Sequence, residues 1–201
     1  MVMNKNNKKS GKSDQRNEED RRIRRTKTQL KKALTELVLE KGYDEVSVQE
    51  IIDRADVGRT SFYTYFRNKE DLLLQNLDDL EGMFDEAEKV GEQEGMLHDD
   101  FTLHMFQHLK ENWRLGKILL GNKKIPLVRN YVQNILLKYY RKRYKEFYKD
   151  MRSELEIEGA AVFTSGALLS LTLWWLGMSR PVPPEKMHKI FLNEVRRSSS
   201  N

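Results

Sequence analysis

The chain has 201 residues, no cysteine and a formal net charge of +5, and 33% of its residues are charged. Without cysteine it can form neither disulfides nor thiolate metal sites, which excludes the disulfide-stapled secreted domains and fits a reducing cytoplasm. Only four prolines and eleven glycines occur. This composition is typical of a mostly helical protein, and no apolar signal sequence occurs in the first 22 residues.

The positive charge is concentrated at the start of the chain. Residues 1–25 hold nine Lys or Arg and four Asp or Glu, a net charge that equals that of the whole chain. Such a segment can neutralise DNA phosphates or enter a minor groove. It can equally be a solvated, disordered leader. We predict a disordered basic tail over residues 1–22 and leave its role open.

Apolar periodicity predicts a first helix from about Arg24 to Lys41, which Gly42 ends in a left-handed conformation. Ser47 and Glu50 are spaced as a capping box, which predicts the start of a second, short helix. The next residues, 56–58, form a turn in which Gly58 is expected to supply the tight backbone. A third helix should follow over residues 59–66.

The third helix is dense in hydrogen-bonding side chains, whereas a helix that only packs a core would carry apolar ones. A helix-turn-helix places such a helix in the DNA major groove. The expected contacts with base edges come from Arg59, Thr60 and Thr64. The expected phosphate contacts come from Ser47, Gln49, Ser61, Tyr63, Tyr65 and Lys69. Phe62 and Phe66 are expected to be buried.

Residues 26–74 resemble the DNA-binding domain of the TetR family of bacterial transcriptional regulators. The resemblance rests on KGYDEVSVQEII and ADVGRTSFYTYFRNKEDLL, with Tyr63, Tyr65, Phe66, Lys69 and Glu70 at the characteristic spacing. It implies an all-α fold of about nine helices. A three-helix helix-turn-helix domain over residues 23–85 would precede a ligand-binding and dimerisation bundle over residues 96–197. The polar run GEQEG at 91–95 marks the expected boundary.

The C-terminal half is predicted to contain helices over residues 97–112, 114–120, 125–149, 156–178 and 184–196. Residues 159–178 carry no charge, a length that would also suit a membrane span. A helix that is apolar all round can instead be buried in a bundle, and we predict no membrane segment. By analogy with the family, a homodimer interface is expected at Gly166, Leu169, Leu173, Ile190 and Phe191.

If the bundle encloses an effector cavity, its walls are expected among aromatic and polar residues of these helices. The candidates are Phe101, His104, Met105, His108, Trp113, Tyr131, Asn134, Phe163 and Trp174. Any of them can simply fill the core. His104 and His108 share a helix face, but no third ligand accompanies them, so we predict neither metal nor cofactor.

The sequence and its resemblance to the family together predict a cytoplasmic bacterial regulator that binds double-stranded DNA. A small molecule would release this regulator from a palindromic operator. A fourth helix bearing Leu77, Leu80 and Phe84 would carry the signal between domains. The alternative is a regulator of the same fold that acts mainly through a protein partner. No nucleophile or phosphate-loop motif supports an enzyme. The basic and aromatic run at 138–149 can be a second nucleic-acid surface or the solvated end of a long helix.

Overall fold

A computed structural model describes residues 7–77, 82, 100–121, 125–148 and 153–199. In these ranges the chain forms nine α-helices and no strand, which confirms the predicted all-α fold. The helices are α1 (Asn7–Lys41), α2 (Val48–Ala55), α3 (Arg59–Tyr65), α4 (Lys69–Asn76), α5 (Asp100–Glu111), α6 (Trp113–Leu119), α7 (Pro126–Tyr148), α8 (Glu154–Gly177) and α9 (Pro184–Ser199).

The chain divides into two compact units, Met1–Asn76 and Leu77–Asn201. The division comes earlier than the boundary expected near residues 91–95, which lie outside the described residues, as do Leu80 and Phe84. In the first unit, α1 packs on α2, α3 and α4. The core of this unit consists of fully buried apolar side chains: Leu30, Leu34, Ile51, Phe62, Phe66, Leu72 and Leu73.

The first helix begins at Asn7, well before the expected start near Arg24 and within the segment expected to be disordered. Proline is absent from this segment, and its Lys, Arg, Glu and Gln residues are good helix formers. Side chains 17–22 are all exposed, so this part of α1 contributes nothing to the core. Apolar periodicity cannot reveal such a stretch, because its residues are almost all polar.

The turn between α2 and α3 differs in one detail from the expectation. Asp56 takes the left-handed conformation, with φ 51° and ψ 50°, whereas Gly58 is extended at φ −64°. Aspartate tolerates the left-handed region better than most residues, so the turn does not depend on the glycine. Gly42 does adopt positive φ, at 85°, as expected for the end of α1.

In the second unit, α7 packs along α8, α5 packs against α9, and α6 contacts α8. Trp175 is fully buried and makes edge-to-face contacts with Phe106 and Trp113, at ring-centroid distances of 5.2 and 4.9 Å. Its indole Nε1–H donates to the carbonyl oxygen of Val182 over 3.0 Å, which fixes the chain between α8 and α9. A buried hydroxyl, Thr102 Oγ1, lies 2.5 Å from His188 Nδ1 and links α5 to α9.

Helix α8 is long and apolar enough to cross a membrane by length and composition, and no other helix in the described ranges is. A buried core helix passes the same test. One side of α8 is buried through Ile157, Ala161, Leu168, Trp175 and Leu176. Its capping box at Ser153 and Glu156 satisfies the first backbone N–H groups.

Candidate nucleic-acid interface

Helix α3 has two distinct faces. Phe62 and Phe66 point into the core of the first unit, where their rings lie 5.8 Å apart. The other side exposes Arg59, Thr60 and Thr64, together with Tyr63, which is 54% exposed. A helix of seven residues is too short to be stable alone, so the phenylalanines hold it in place. The donor side chains therefore stand on a fixed surface.

The Arg59 side chain is held by a chain of hydrogen bonds. Arg59 Nη2 donates to Gln49 Oε1 over 2.7 Å, and Gln49 Nε2 donates to Asp53 Oδ1 over 2.7 Å. The expected base-reading arginine is thus joined to α2, and Gln49 acts on Arg59 rather than standing free for a phosphate. The role of Asp53 in this chain of hydrogen bonds could not be predicted from the residue types of α3. Asp53 does follow Gln49 by four residues, a spacing at which side chains of one helix meet.

Thr64 Oγ1 donates to the carbonyl oxygen of Thr60 over 2.8 Å. With its proton used inside the helix, the Thr64 hydroxyl can accept a hydrogen bond from a base, and its methyl group can meet a thymine methyl. Thr60 is exposed one turn earlier, and Ser61 is half-buried at the edge of the same surface.

The two expected phosphate-binding tyrosines differ in their surroundings. Tyr63 is exposed and rests edge-on against Phe62, with ring centroids 5.2 Å apart. Tyr65 is half-buried, and the Lys27 ammonium from α1 lies 5.7 Å from its ring centroid. Lys27 was not predicted as part of this surface, since 31 residues of sequence separate it from Arg59 at the start of α3.

Lys69 has a structural role that the sequence did not indicate. Its Nζ donates to the carbonyl oxygens of Val46 and Tyr43 over 2.8 and 3.2 Å, and it lies 4.5 Å from the Tyr43 ring centroid. The Tyr43 hydroxyl donates to Glu70 Oε1 over 3.1 Å, and burial raises the pKa of Tyr43. Lys69 thus fastens the start of α4 to the α1–α2 connection. Two of the three N–H groups of the Lys69 ammonium are therefore used inside the protein.

The predicted capping box at the start of α2 is present. Glu50 N donates to Ser47 Oγ over 3.3 Å, while Ser47 N and Ser47 Oγ donate to Glu50 Oε2 over 2.9 and 2.8 Å. Lys41 Nζ donates to Glu50 Oε1 over 2.5 Å. The Ser47 hydroxyl is therefore engaged inside the protein. At this helix end a phosphate would meet the backbone N–H groups of Val48 and Gln49 instead.

The capping box gives the first unit an expected dependence on pH. Hydrogen bonds from Lys41 and then Ser47 lower the pKa of Glu50 to about 2 from an ordinary value of 4.5. Because the folded-state pKa is the lower one, the carboxylate stabilises the fold fully above about pH 4.5 and loses this effect as the pH falls toward 2. The pair is exposed, so salt should weaken it.

Urea denaturation of the wild type and Glu50→Gln, followed from pH 2 to 7, measures this contribution. We expect the difference between their midpoints to be constant above pH 5 and to shrink below pH 4.5, the ordinary pKa of the carboxyl. Glu45→Gln, which changes an exposed carboxylate nearby, is the matched control. A midpoint difference that does not vary with pH would contradict the assignment.

In the second unit, the expected cavity residues do not share one environment. Phe101 and Met105 are buried, and Phe101 packs on Tyr139 with ring centroids 4.6 Å apart. Trp113, His108 and Tyr131 are half-buried, whereas His104 and Asn134 are exposed. Within the described ranges, no group of three His, Cys, Asp or Glu side chains is arranged to hold a metal.

Phe163 and Trp174 lie on the outer face of α8, where they are 58% and 57% exposed. They do not line a cavity enclosed within one chain. Since residues three, four or seven apart share a helix face, the same face carries both expected cavity residues and expected dimer residues. This α8 face comprises Leu155, Val162, Phe163, Gly166, Leu169, Leu173 and Trp174.

The expected dimer residues of α9 are less accessible. Ile190 is half-buried, and Phe191 is buried inside the protomer, 6.4 Å from Tyr140 between ring centroids. Phe191 therefore packs the core of the second unit, because the α9 side that carries it faces the bundle. The sequence could not show which side of α9 faces the bundle, because the residues next to Phe191 are also apolar.

Two short helices joined by a tight turn, with an exposed donor face on the second, define a helix-turn-helix DNA-binding protein. The family model for bacterial regulatory proteins of the tetR family matches residues 30–75. A model for a transcriptional regulator C-terminal region of the same family matches residues 98–196. The chain belongs to the TetR family of transcriptional regulators, which are non-enzymatic DNA-binding proteins. No curated protein sequence matches it.

Solved structures of this family share the fold. A TetR regulator from Streptococcus agalactiae 2603V is 24% identical, with a TM-score of 0.64, over 88% of this chain and 97% of that one. NalD, the secondary repressor of the MexAB-OprM multidrug efflux pump in Pseudomonas aeruginosa, is 20% identical, with a TM-score of 0.65, over 87% and 96%. FadR from Bacillus subtilis, in complex with stearoyl-CoA, is 18% identical, with a TM-score of 0.61, over 84% and 96%.

Proposed function

We propose that this regulator is a repressor that binds a palindromic operator as a homodimer in the bacterial cytoplasm and is released by a small-molecule effector. The observation that carries the proposal is the exposed donor face of α3, which Phe62 and Phe66 hold against the core. One α3 reads few base pairs, so a homodimer on two half-sites supplies the necessary specificity.

In the proposed complex, Arg59 reads a guanine through its guanidinium. Its Nη2 is held by Gln49, which leaves the remaining N–H groups to grip O6 and N7 of the base. Thr60 and Thr64 contact neighbouring base edges. Tyr63, Tyr65, Ser61, Lys69 and the start of α2 hold phosphates and fix the register of the helix on the duplex.

The α8 face is the proposed centre of the homodimer interface. It is apolar along its length and pairs naturally with a second copy of itself across a two-fold axis. Gly166 at its middle carries no side chain and faces open space, with nothing within 4 Å of where its Cβ would be, so a second copy of α8 could approach it closely. Phe163 and Trp174 would become buried when the dimer forms.

The effector is proposed to bind in the second unit, with Phe101, Met105 and Trp113 as apolar contacts. Two polar pairs link α7 to α8 in the same unit: Gln133 Nε2 donates to Ser165 Oγ over 3.0 Å, and Tyr144 Oη lies 2.8 Å from Thr164 Oγ1. A ligand that binds one conformation better by 1–3 kcal/mol would change operator affinity about 5–150-fold. Stearoyl-CoA is the ligand in the structure of FadR, a relative of this chain.

Fluorescence anisotropy on an operator selected from random duplexes tests the DNA-binding proposal. The wild type should bind the selected operator more tightly than an operator changed at the single base pair that Arg59 reads. We expect Arg59→Ala to reduce this difference in binding free energy by about 1–3 kcal/mol. Tyr63→Phe should instead weaken binding to all sequences alike, because a phosphate contact carries no sequence information. Gln49→Ala should reproduce part of the Arg59→Ala effect.

Arg67→Ala is the matched control, since this exposed arginine follows α3 and pairs with Asp71. It should leave the base preference unchanged. Equal base preference in the wild type and Arg59→Ala would refute the reading role of Arg59. Two outcomes together would favour the alternative of a regulator that acts through a protein partner. No screened metabolite would alter operator binding, and another protein would form a stable complex at the α8 face.

A further inference from the structure

A second charged surface lies on α1, outside the helix-turn-helix. Residues 21–35 contain seven Lys or Arg and no Asp or Glu. At 3.6 residues per turn, five of the seven fall within about a third of the helix circumference. We call this the α1 basic stripe, and its members are Arg21, Arg24, Arg25, Lys31 and Lys32.

The three arginines of the stripe are not part of the core of the first unit. Arg21, Arg24 and Arg25 are exposed, and from residue 17 onward the first fully buried side chain of α1 is Leu30. Two other basic side chains of the first unit are paired, Arg54 with Glu40 at 2.8 Å and Lys41 with Glu50 at 2.5 Å, and Lys32 of the stripe lies 3.8 Å from Glu36. Between described residues, no ion pair engages the three arginines of the stripe.

The stripe adjoins the DNA-reading surface. Lys27, beside the stripe on α1, lies 5.7 Å from the ring centroid of Tyr65 on α3. At about 1.5 Å of rise per residue, Arg21 lies only about 9 Å further along the helix axis than Lys27. Successive phosphates of one DNA strand lie about 3.4 Å apart along the duplex axis. Arg24 lies one turn before Lys27 and about 60° from it around the helix axis, and the long side chains of Arg21 and Arg25 extend from the same turn. This part of the stripe can therefore meet phosphates close to those that Tyr65 would contact.

We propose that the α1 basic stripe binds the phosphate backbone of duplex DNA beside the bases that α3 reads, and so adds affinity without sequence preference. The inference rests on the proposed DNA-binding function of α3 and extends it to a second surface. A membrane surface fits the stripe poorly. A helix that lies in a lipid interface needs a broad apolar face, and the only large apolar side chain in residues 17–29 is Ile23.

The triple variant R21Q/R24Q/R25Q tests the proposal, because glutamine keeps helix propensity and removes only charge. Anisotropy titrations over a salt series compare the selected operator with a scrambled duplex of equal length. We expect both affinities to fall by the same factor at low salt, which leaves their ratio unchanged. The slope of log K against log salt should become shallower by about 0.9 for each lost contact, up to about 2.7.

Two controls separate a local contact from the loss of charge as such. Arg22→Gln removes an exposed arginine from the same segment, outside the stripe and about 60° around α1 from Arg25. K110Q/K138Q/K145Q removes three exposed charges from the second unit, two of them from the basic and aromatic run of α7. Both should keep the wild-type slope. Circular dichroism verifies that all variants retain their helices.

The proposal is overturned if the triple variant keeps the wild-type slope. It is also overturned if K110Q/K138Q/K145Q loses as much slope as the triple variant does. A triple variant that keeps DNA affinity but loses binding to vesicles of anionic phospholipid overturns it as well. Failure of the proposed function has a different signature. There, the wild type shows no preference for any operator, while the slope on the scrambled duplex still reports the stripe.

Discussion

Replacing Trp174 by glutamate is expected to convert the proposed homodimer into monomers. Trp174 is 57% exposed on the α8 face, and in a two-fold interface each substitution occurs twice. Each copy would bring an unpaired carboxylate into an apolar contact, which costs several kcal/mol. The dissociation constant of the dimer should rise at least about 1,000-fold, which corresponds to about 4 kcal/mol.

The same substitution should weaken operator binding by about 100-fold or more, because the second half-site would no longer be bound through a linked partner. Sedimentation velocity measures the dimer, and anisotropy on operators with one or two half-sites measures its consequence. Asn130→Glu, an exposed site on α7, is the control that adds a carboxylate elsewhere. A dimeric Trp174→Glu with wild-type operator affinity would place the interface on another surface.

Phe62→Ala is expected to abolish operator binding by releasing α3. Phe62 is fully buried and contacts both Tyr63 and Phe66. Loss of a buried phenyl ring costs about 3–5 kcal/mol, and a helix of seven residues has few other anchors. Amide hydrogen exchange should show α3 losing protection while the helices of the second unit keep theirs.

Tyr63→Phe provides the comparison for stability, since Tyr63 is largely exposed and its ring remains in place. Its urea midpoint should match that of the wild type. If Phe62→Ala unfolds at the wild-type midpoint, then Phe62 is not the anchor of α3, and the rigidity of the reading surface must have another origin.

The helix-turn-helix could be predicted from the sequence because its determinants are local. Gly42 ends α1, the capping box begins α2, and the spacing of Phe62 and Phe66 indicates the buried face of α3. The contacts that cross between helices were not predictable in this way. Arg59 with Gln49 and Lys69 with Val46 join residues whose proximity exists only after folding.

The faces of α8 were harder to predict for a different reason. Its central stretch carries no charge, so its residues give no polar side from which a buried side could be inferred. Phe163 and Trp174 were therefore expected among cavity walls, although the structure exposes them. The start of α1 was missed for the converse reason, since a helix without an apolar face leaves no periodic signal.

The two faces of α3 have a consequence for how new operators arise. Phe62 and Phe66 hold the helix, whereas Arg59, Thr60 and Thr64 are exposed and contribute nothing to the core. Exchanging the exposed side chains should therefore leave the free energy of unfolding nearly unchanged. Recognition of a new sequence can evolve, or be engineered, by substitutions that the fold tolerates, so that duplicated copies of such a gene can diverge to different promoters.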